Sequence, residues 1–191
     1  MNKAVFLDRD GVIIEEKDNL YKIEDIKIIE GVPEALKILK QNNFILLGIS
    51  NQPVVARGLI TEEYVEKIHT EINSRLEKEC GVEIDKFFFC PHHPNANVEK
   101  YRINCSCRKP NPGLILQAVK EFNIDIKNSF MIGDRISDVI TGKRAGCKTI
   151  LIETDYSKKK IEGVDYDINI KPDFIAKNLK NAIEKIGFLN N

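Results

Sequence analysis

Two aspartates separated by a single residue, Asp8 and Asp10, open the chemistry of this chain. They follow the apolar run Ala4-Val-Phe-Leu7 and precede Gly11, which lets the chain turn sharply. Carboxylates this close repel each other unless a cation or a proton is shared between them. A hard divalent cation such as Mg2+ is the natural solution, because it takes carboxylate, carbonyl and water oxygens. Asp134, just after another apolar run, offers a further ligand, and Asp138 lies one helical turn beyond it. An isolated Asp-x-Asp is most often a solvated turn. Here other polar pairs, Ser50-Asn51 and Arg108-Lys109, punctuate the chain in a comparable way.

A second constellation lies between residues 90 and 108. Cys90-Pro-His92, with His93 adjoining, is followed after a polar stretch by Cys105-Ser-Cys107. Two short ligand pairs joined by a loop suit a structural zinc site, and three cysteines with one histidine close a tetrahedron. Such a site leaves no open position for chemistry. Cys107 runs directly into Arg108-Lys109, so a pinned loop would fix two cations. Cys80 and Cys147 stand apart and read as small buried apolar residues.

These residues need a frame. Strands are expected at Ala4–Leu7, Phe44–Ile49, Asp85–Phe89, Ser129–Ile132 and Lys148–Ile152, from short β-branched or aromatic runs. Helices are expected over Pro33–Lys40, from Thr61 to about Cys80, and over Gly113–Phe122, Ser137–Ala145 and Ile175–Ile186. Thr61 suits an N-cap, with Glu63 near the capping-box position, and Gly81 suits the helix end. The alternation of strand and helix predicts an α/β fold: a Rossmann-like, three-layer α/β/α parallel sheet. In such sheets ligands bind beyond the carboxyl ends of the strands. Asp8, Ser50 and Asp134 each follow a strand, and Lys109 lies on the loop leading back to the sheet.

Composition limits the alternatives. The 191 residues are 42% hydrophobic and 30% charged, which is a globular balance, and the expectation is one domain over 1–191. Lys+Arg and Asp+Glu are 29 each, so no broad basic field invites nucleic acid. Apolar runs are strand-length, and the N-terminus meets Asp8 too soon for a signal-peptide core, so no membrane partner and a cytoplasmic location are expected. No long apolar stripe suggests a partner copy, so a monomer is expected. The run Lys158-Lys-Lys160 reads as a solvated loop.

Taken together and in order, Phe6-Leu-Asp8-Arg-Asp10-Gly11-Val12, Ile49-Ser50-Asn51-Gln52, Lys109-Pro110 and Gly133-Asp134-Arg-Ile-Ser-Asp138 resemble the four motifs of the haloacid dehalogenase (HAD) superfamily. The resemblance covers nearly the whole chain. It implies the HAD fold and a Mg2+-dependent phosphoryl transfer. Asp8 would attack phosphorus to form an aspartyl-phosphate. Asp10 would act as general acid and then general base, and an Asp at this position marks the phosphatases of the superfamily. Ser50 would hydrogen-bond a phosphoryl oxygen, and Lys109 would stabilise the transferring charge. Mg2+ would be held by Asp8, Asp134 and the backbone carbonyl of Asp10. The zinc-loop pattern implies Zn2+ on Cys90, His92, Cys105 and Cys107, with His93 left to solvent.

Among zinc-loop members, the chain is more similar to the heptose bisphosphate phosphatases than to the histidinol-phosphate phosphatases. The long stretch between His92 and Cys105 and the run Cys105-Ser-Cys-Arg-Lys-Pro110 carry that similarity. A small phosphorylated sugar is then the implied substrate. A zinc-loop binding protein without catalysis is the alternative of another class. Pro53-Val54-Val55 departs from the small Ser-Gly-Ile-like turn common in the family, and Val12 from its Thr. No large cap domain fits in the sequence. Residues 11–31 would form a small flap, and the implied substrate contacts are Glu16, Lys17, Asp18, Asn19, Ser50, Asn51, Gln52, Pro53, Arg57, Arg108, Lys109 and Arg135.

Overall fold

The structure is a computed structural model and describes residues 1–17, 19–157 and 169–187. Asp18 and the run Lys158–Lys160 lie outside the described residues. Six strands form one parallel sheet: β1 (Lys3–Leu7), β2 (Phe44–Asn51), β3 (Lys86–Cys90), β4 (Phe130–Gly133), β5 (Lys148–Ile152) and β6 (Phe174–Ala176). Their order across the sheet is β3-β2-β1-β4-β5-β6. The connecting helices are α1 (Val32–Gln41), α2 (Pro53–Ala56), α3 (Glu62–Cys80), α4 (Gly113–Phe122), α5 (Ile136–Ala145) and α6 (Leu179–Ile186).

Alternation along the central strand sets the three layers. Val5 and Leu7 join the core built with α1, α3 and α6, whereas Ala4 and Phe6 join the core built with α4. A strand buried on both faces must be apolar at every position, which is why β1 and β2 read as unbroken hydrophobic runs. Val5 pairs with Leu46 on one side and Phe130 on the other, so β1 lies at the centre. The strand order reverses direction at β1, and this switch point opens a crevice at the carboxyl edge. Asp8, Asn51, Cys90 and Asp134 all lie at that edge.

The local signals explain most boundaries. The hydroxyl of Thr61 accepts from the Tyr64 amide and starts α3; the partner position is Tyr64, one beyond Glu63. Gly81 ends that helix in the left-handed region with φ 69°. The expected helix over 175–186 is shorter, because Phe174–Ala176 pairs with β5 as an edge strand. Asn178 then caps α6, its side chain accepting from the Asn181 amide at 2.8 Å. Cys147 is buried as expected, while Cys80 is half-buried and donates to the Leu76 carbonyl.

The segment between β1 and α1 is strapped down. The Glu15 amide donates to the Lys27 carbonyl (2.9 Å), and the Ile29 amide to that of Ile13 (3.1 Å). Val12, Ile13, Ile14, Leu20 and Ile26 are buried beneath it. Val12 thus occupies a core position, which suits the apolar residue found there. The departure at Pro53 has a similar cause: the proline opens the short α2, and Val54 and Val55 pack into a satellite core with Val65 and Tyr101. Among the described residues no separate domain covers the carboxyl edge, and no helix is long and apolar enough to cross a membrane.

Candidate active site

Asp8 stands one residue beyond β1, its amide donating to the Ile132 carbonyl of β4 (2.9 Å). Its Oδ1 accepts from the Arg9 amide (2.8 Å) and meets the Lys109 ammonium at 2.8 Å. The same ammonium reaches Asp138 Oδ1 at 2.7 Å and donates to the Ile49 carbonyl at 2.9 Å. Lys109 is only 5% exposed, so its charge is spent inside the protein on these partners. Asn51 grips its main chain: the side-chain oxygen accepts from the Lys109 amide (3.0 Å) and Nδ2 donates to the Lys109 carbonyl (3.1 Å). Asp138 has a second duty, since Oδ2 accepts from the Arg135 amide and caps α5.

The carboxylates of Asp8, Asp134 and Asp138 offer oxygens within 4.8 Å of one another, all buried. Burial pushes the Asp8 carboxyl well above the usual carboxylate range, opposed by Lys109 and reinforced by Asp138 and Asp134. Burial and then Asp138 push Asp134 up to about 6. For Lys109, burial works against the charge, but Asp138 and Asp8 outweigh it and raise its pKa. Three carboxylates facing one ammonium leave two negative charges uncompensated. The Arg135 Nε is 3.9 Å from Asp134, but that guanidinium is committed to Glu16 through Nη2 at 2.8 Å. Asp134 is inaccessible to solvent and its Oδ1 has no hydrogen-bond partner among the described residues. A buried, unsatisfied carboxylate oxygen beside a twofold charge deficit fits one hard divalent cation.

Two glycines make this closeness possible. A Cβ on Gly11, whose φ is +81°, would fall 2.3 Å from Asp134 Oδ2. A Cβ on Gly133 would fall 2.2 Å from the Asp138 Cβ.

The Asp10 carboxylate does not join this cluster. It accepts from Arg9 Nε (3.1 Å), Arg9 Nη2 (3.0 Å) and Gln52 Nε2 (3.0 Å). Ser50, at the end of β2, is buried and accepts from the same Gln52 amide at 2.7 Å.

The cysteine–histidine group converges as tightly. Cys90 Sγ is 3.4 Å from Cys105 Sγ and 2.9 Å from Cys107 Sγ, and the latter two are 3.2 Å apart. His92 Nδ1 lies 3.5 Å from Cys90 Sγ and 3.3 Å from Cys107 Sγ. Hydrogen bonding with the other thiols, against the effect of burial, brings Cys107 down to about 5, and the same contact with burial pushes Cys90 up. Three sulfurs and one imidazole nitrogen in a single compact group match the donor chemistry of tetrahedral zinc. Arg108 donates to the His92 carbonyl at 3.0 Å, which ties the cation to this loop.

A cavity of about 780 Å³ runs from Asp8, Asp10 and Lys109 outward to Arg57 and Arg108. Glu16, Lys17, Asn19, Asn51, Gln52, Pro53 and Arg135 also line it. Several of them face protein partners. Glu16 pairs with Arg135, Lys17 with Asp25 at 3.2 Å, and Asn19 accepts from Arg57. Sequence reasoning missed Tyr156, over whose ring the Arg135 guanidinium sits at 4.7 Å, and Thr154, which donates to Asp134 at 3.2 Å. Both follow β5, so the strand-end rule that found Asp8 would have found them. His93, expected in solvent, is half-buried and lines the cavity, because the loop folds it back toward Arg57 and Arg108.

Comparisons with known proteins converge on one group. The HAD-hydrolase-like family model matches residues 106–182. The chain is 39% identical over 153 residues to a D-glycero-beta-D-manno-heptose-1,7-bisphosphate 7-phosphatase of Haemophilus ducreyi, covering 80% of this chain and 84% of the relative. It is 40% identical over 155 residues to a D-glycero-alpha-D-manno-heptose-1,7-bisphosphate 7-phosphatase of Photorhabdus laumondii, covering 81% and 84%. The crystal structure of a D,D-heptose 1,7-bisphosphate phosphatase from B. bronchiseptica, complexed with magnesium and phosphate, superposes with a TM-score of 0.80 at 25% identity, over 96% of this chain and 97% of that one. With the parallel sheet, the carboxyl-edge carboxylate cluster and the four motifs in order, these likenesses lead to one assignment: the chain belongs to the heptose bisphosphate phosphatase family of the HAD-like hydrolases.

Proposed function

We propose that the chain hydrolyses the 7-phosphate of D-glycero-D-manno-heptose 1,7-bisphosphate through an aspartyl-phosphate on Asp8, feeding the synthesis of heptose-containing surface glycans. One observation carries the reading. A single cavity is lined both by Asp8, Asp10 and Lys109 and by two cations, Arg57 and Arg108. A sugar with two phosphates needs both ends: one for the phosphate that is cleaved, one for the phosphate that is kept. About 780 Å³ lies within the range of small-molecule sites.

Asp8 is the nucleophile, and the Lys109 ammonium 2.8 Å away opposes the rise that burial imposes on its carboxyl. The same ammonium faces the charge that develops on the transferring phosphoryl group. Ser50 donates to a phosphoryl oxygen. Asp10 gives its proton to the departing sugar oxygen and later takes one from the water that attacks the phosphorus of the aspartyl-phosphate. Asp8, Asp134 and the backbone carbonyl of Asp10 are the ligands assigned to Mg2+, which when bound neutralises the repulsion between Asp8 and a phosphate dianion. Asp138 positions Lys109 rather than touching substrate. Segment 11–31 serves as a flap over the inner end. Segment 90–108, closed by Zn2+ on Cys90, His92, Cys105 and Cys107, sets the direction of Arg108. The enzyme works as a single-domain monomer in the cytoplasm.

The test is a comparison of kcat/KM on both anomers of the heptose bisphosphate and on histidinol phosphate. The reading expects one of the heptose anomers to lead by at least about 100-fold, the discrimination available when polar groups placed for a second phosphate are left without it. A preference for histidinol phosphate would overturn it.

A further inference from the structure

Gln52 is 3% exposed and makes three side-chain hydrogen bonds to three neighbours that matter to the reaction. Its Oε1 accepts from Arg9 Nη2 at 2.9 Å. Its Nε2 donates to Ser50 Oγ at 2.7 Å and to Asp10 Oδ2 at 3.0 Å. The orientation of this amide is dictated by chemistry. A guanidinium has only donors, so the atom that faces Arg9 must be the amide oxygen. Arg9 cannot yield, because it is 1% exposed and its Nε and Nη2 are both on the Asp10 carboxylate. Arg9 therefore locks Gln52, and the amide nitrogen is left pointing at Ser50 and Asp10.

This has consequences for both partners. Ser50 already accepts from Gln52, which leaves its own hydroxyl hydrogen available for an acceptor in the cavity it lines. Both oxygens of Asp10 are held by donors, Oδ1 by Arg9 and Oδ2 by Arg9 and Gln52, apart from the Asp8–Asp134–Asp138 cluster.

We propose that Gln52 is a positioning residue for phosphoryl transfer: locked by Arg9, its amide turns Ser50 into a donor toward the phosphoryl group and holds Asp10 in line with the leaving oxygen. The inference rests on the roles given above to Asp10 and Ser50. Gln52 itself does not touch substrate.

The two roles separate by leaving group. An aryl phosphate expels a phenolate that needs no protonation, whereas a sugar or other alkyl phosphate needs the proton of Asp10. The experiment compares kcat/KM for 4-nitrophenyl phosphate and for the heptose bisphosphate in Gln52→Ala, Gln52→Glu, Ser50→Ala and Asp10→Asn, with thermal midpoints recorded for each. Gln52→Ala should fall several-fold on the aryl ester, through Ser50, and at least about tenfold further on the sugar ester, through misplacement of an acid worth 10²–10⁴. Gln52→Glu, the same shape without the amide hydrogens, should show the same split. On the aryl ester, adding Gln52→Ala to Ser50→Ala should change little, because the two act as a unit. Equal losses on the two substrates, or none in folded protein, would overturn the proposal. If Asp10→Asn retains full activity on the sugar ester, the acid–base reading itself fails. A split in Asp10→Asn that is absent in Gln52→Ala defeats only the inference about Gln52.

Discussion

Replacing Lys109 by methionine should damage both stability and rate, and the structure sets the size of each effect. Methionine keeps an unbranched chain of similar length, so packing survives while the charge is lost. The ammonium lies 2.8 Å from Asp8, 2.7 Å from Asp138 and 2.9 Å from the Ile49 carbonyl, with 5% of the residue exposed. Removing it strands two carboxylates in a site that already carries an excess of negative charge. Breaking a buried ion pair in this way costs roughly 3–5 kcal/mol. For a chain of this size, each kcal/mol lowers the midpoint by about 2–4 °C, so the metal-free variant should melt roughly 6–20 °C below the parent. Mg2+ binds the folded state only and enters a more negative site in the variant. At one fixed Mg2+ concentration its addition should therefore raise the variant's midpoint by more than the parent's, each protein gaining about 2.7 kcal/mol where Mg2+ is in hundredfold excess over its own Kd. The rate should fall about 10²–10³-fold, as for the loss of one preorganised charge stabiliser. Scanning calorimetry with and without Mg2+, alongside phosphate release, measures all of this. A metal-free variant melting within about 2 °C of the parent, or one with full activity, would refute the charge account of the cluster.

Other perturbations follow from the same geometry. Cys107→Ala should abolish binding of one zinc per chain and lower activity, while far-ultraviolet dichroism stays near the parent's, because the sheet and helices have their own core; metal analysis with dichroism checks this. Gly11→Ala should cost more than about 2 kcal/mol and weaken Mg2+ binding, since the added carbon needs the space of the Asp134 carboxylate at a backbone φ of +81°; denaturation midpoints and Mg2+ titration read the two effects. His69 is a buried residue of α3, stacked 4.4 Å from Phe87 of β3, and burial holds its pKa below the ordinary histidine value. The unfolded chain then binds a proton that the folded one does not, so its contribution to stability is lost as pH falls below about 6.5. His69→Phe should remove that acid-side slope in a stability profile between pH 7 and 5, and an unchanged slope would assign it elsewhere.

The sequence made the carboxyl-edge residues legible because a parallel sheet must present its functional groups there. Asp8, Ser50 and Asp134 each end an apolar run; the structure places Asp8 and Ser50 on one cavity wall and Asp134 buried beside Asp8. The zinc-type spacing likewise foretold that Cys90, His92, Cys105 and Cys107 would meet. Side-chain direction was less legible. Glu16 and Arg135 are 119 residues apart, and nothing in their spacing shows that they would face each other. Gln52 carries both donor and acceptor, so its orientation depends on which neighbour can only donate; that neighbour, Arg9, is hidden inside the Asp-x-Asp motif. Ile175 and Ala176 of the edge strand Phe174–Ala176 fall within the helix expected over Ile175–Ile186, because three residues are too few to display a period of two and Ile175 is half-exposed.

The account turns on Asp8 as the group that takes the phosphoryl of the 7-position. The most direct measurement is phosphorus NMR of heptose 1,7-bisphosphate incubated with Mg2+ and either the parent protein or Asp8→Asn. The account predicts that the parent replaces the 7-phosphate resonance with inorganic phosphate and leaves the 1-phosphate resonance intact, and that Asp8→Asn leaves both untouched. Loss of the 1-phosphate instead, or turnover by Asp8→Asn at the parent's rate, would contradict it.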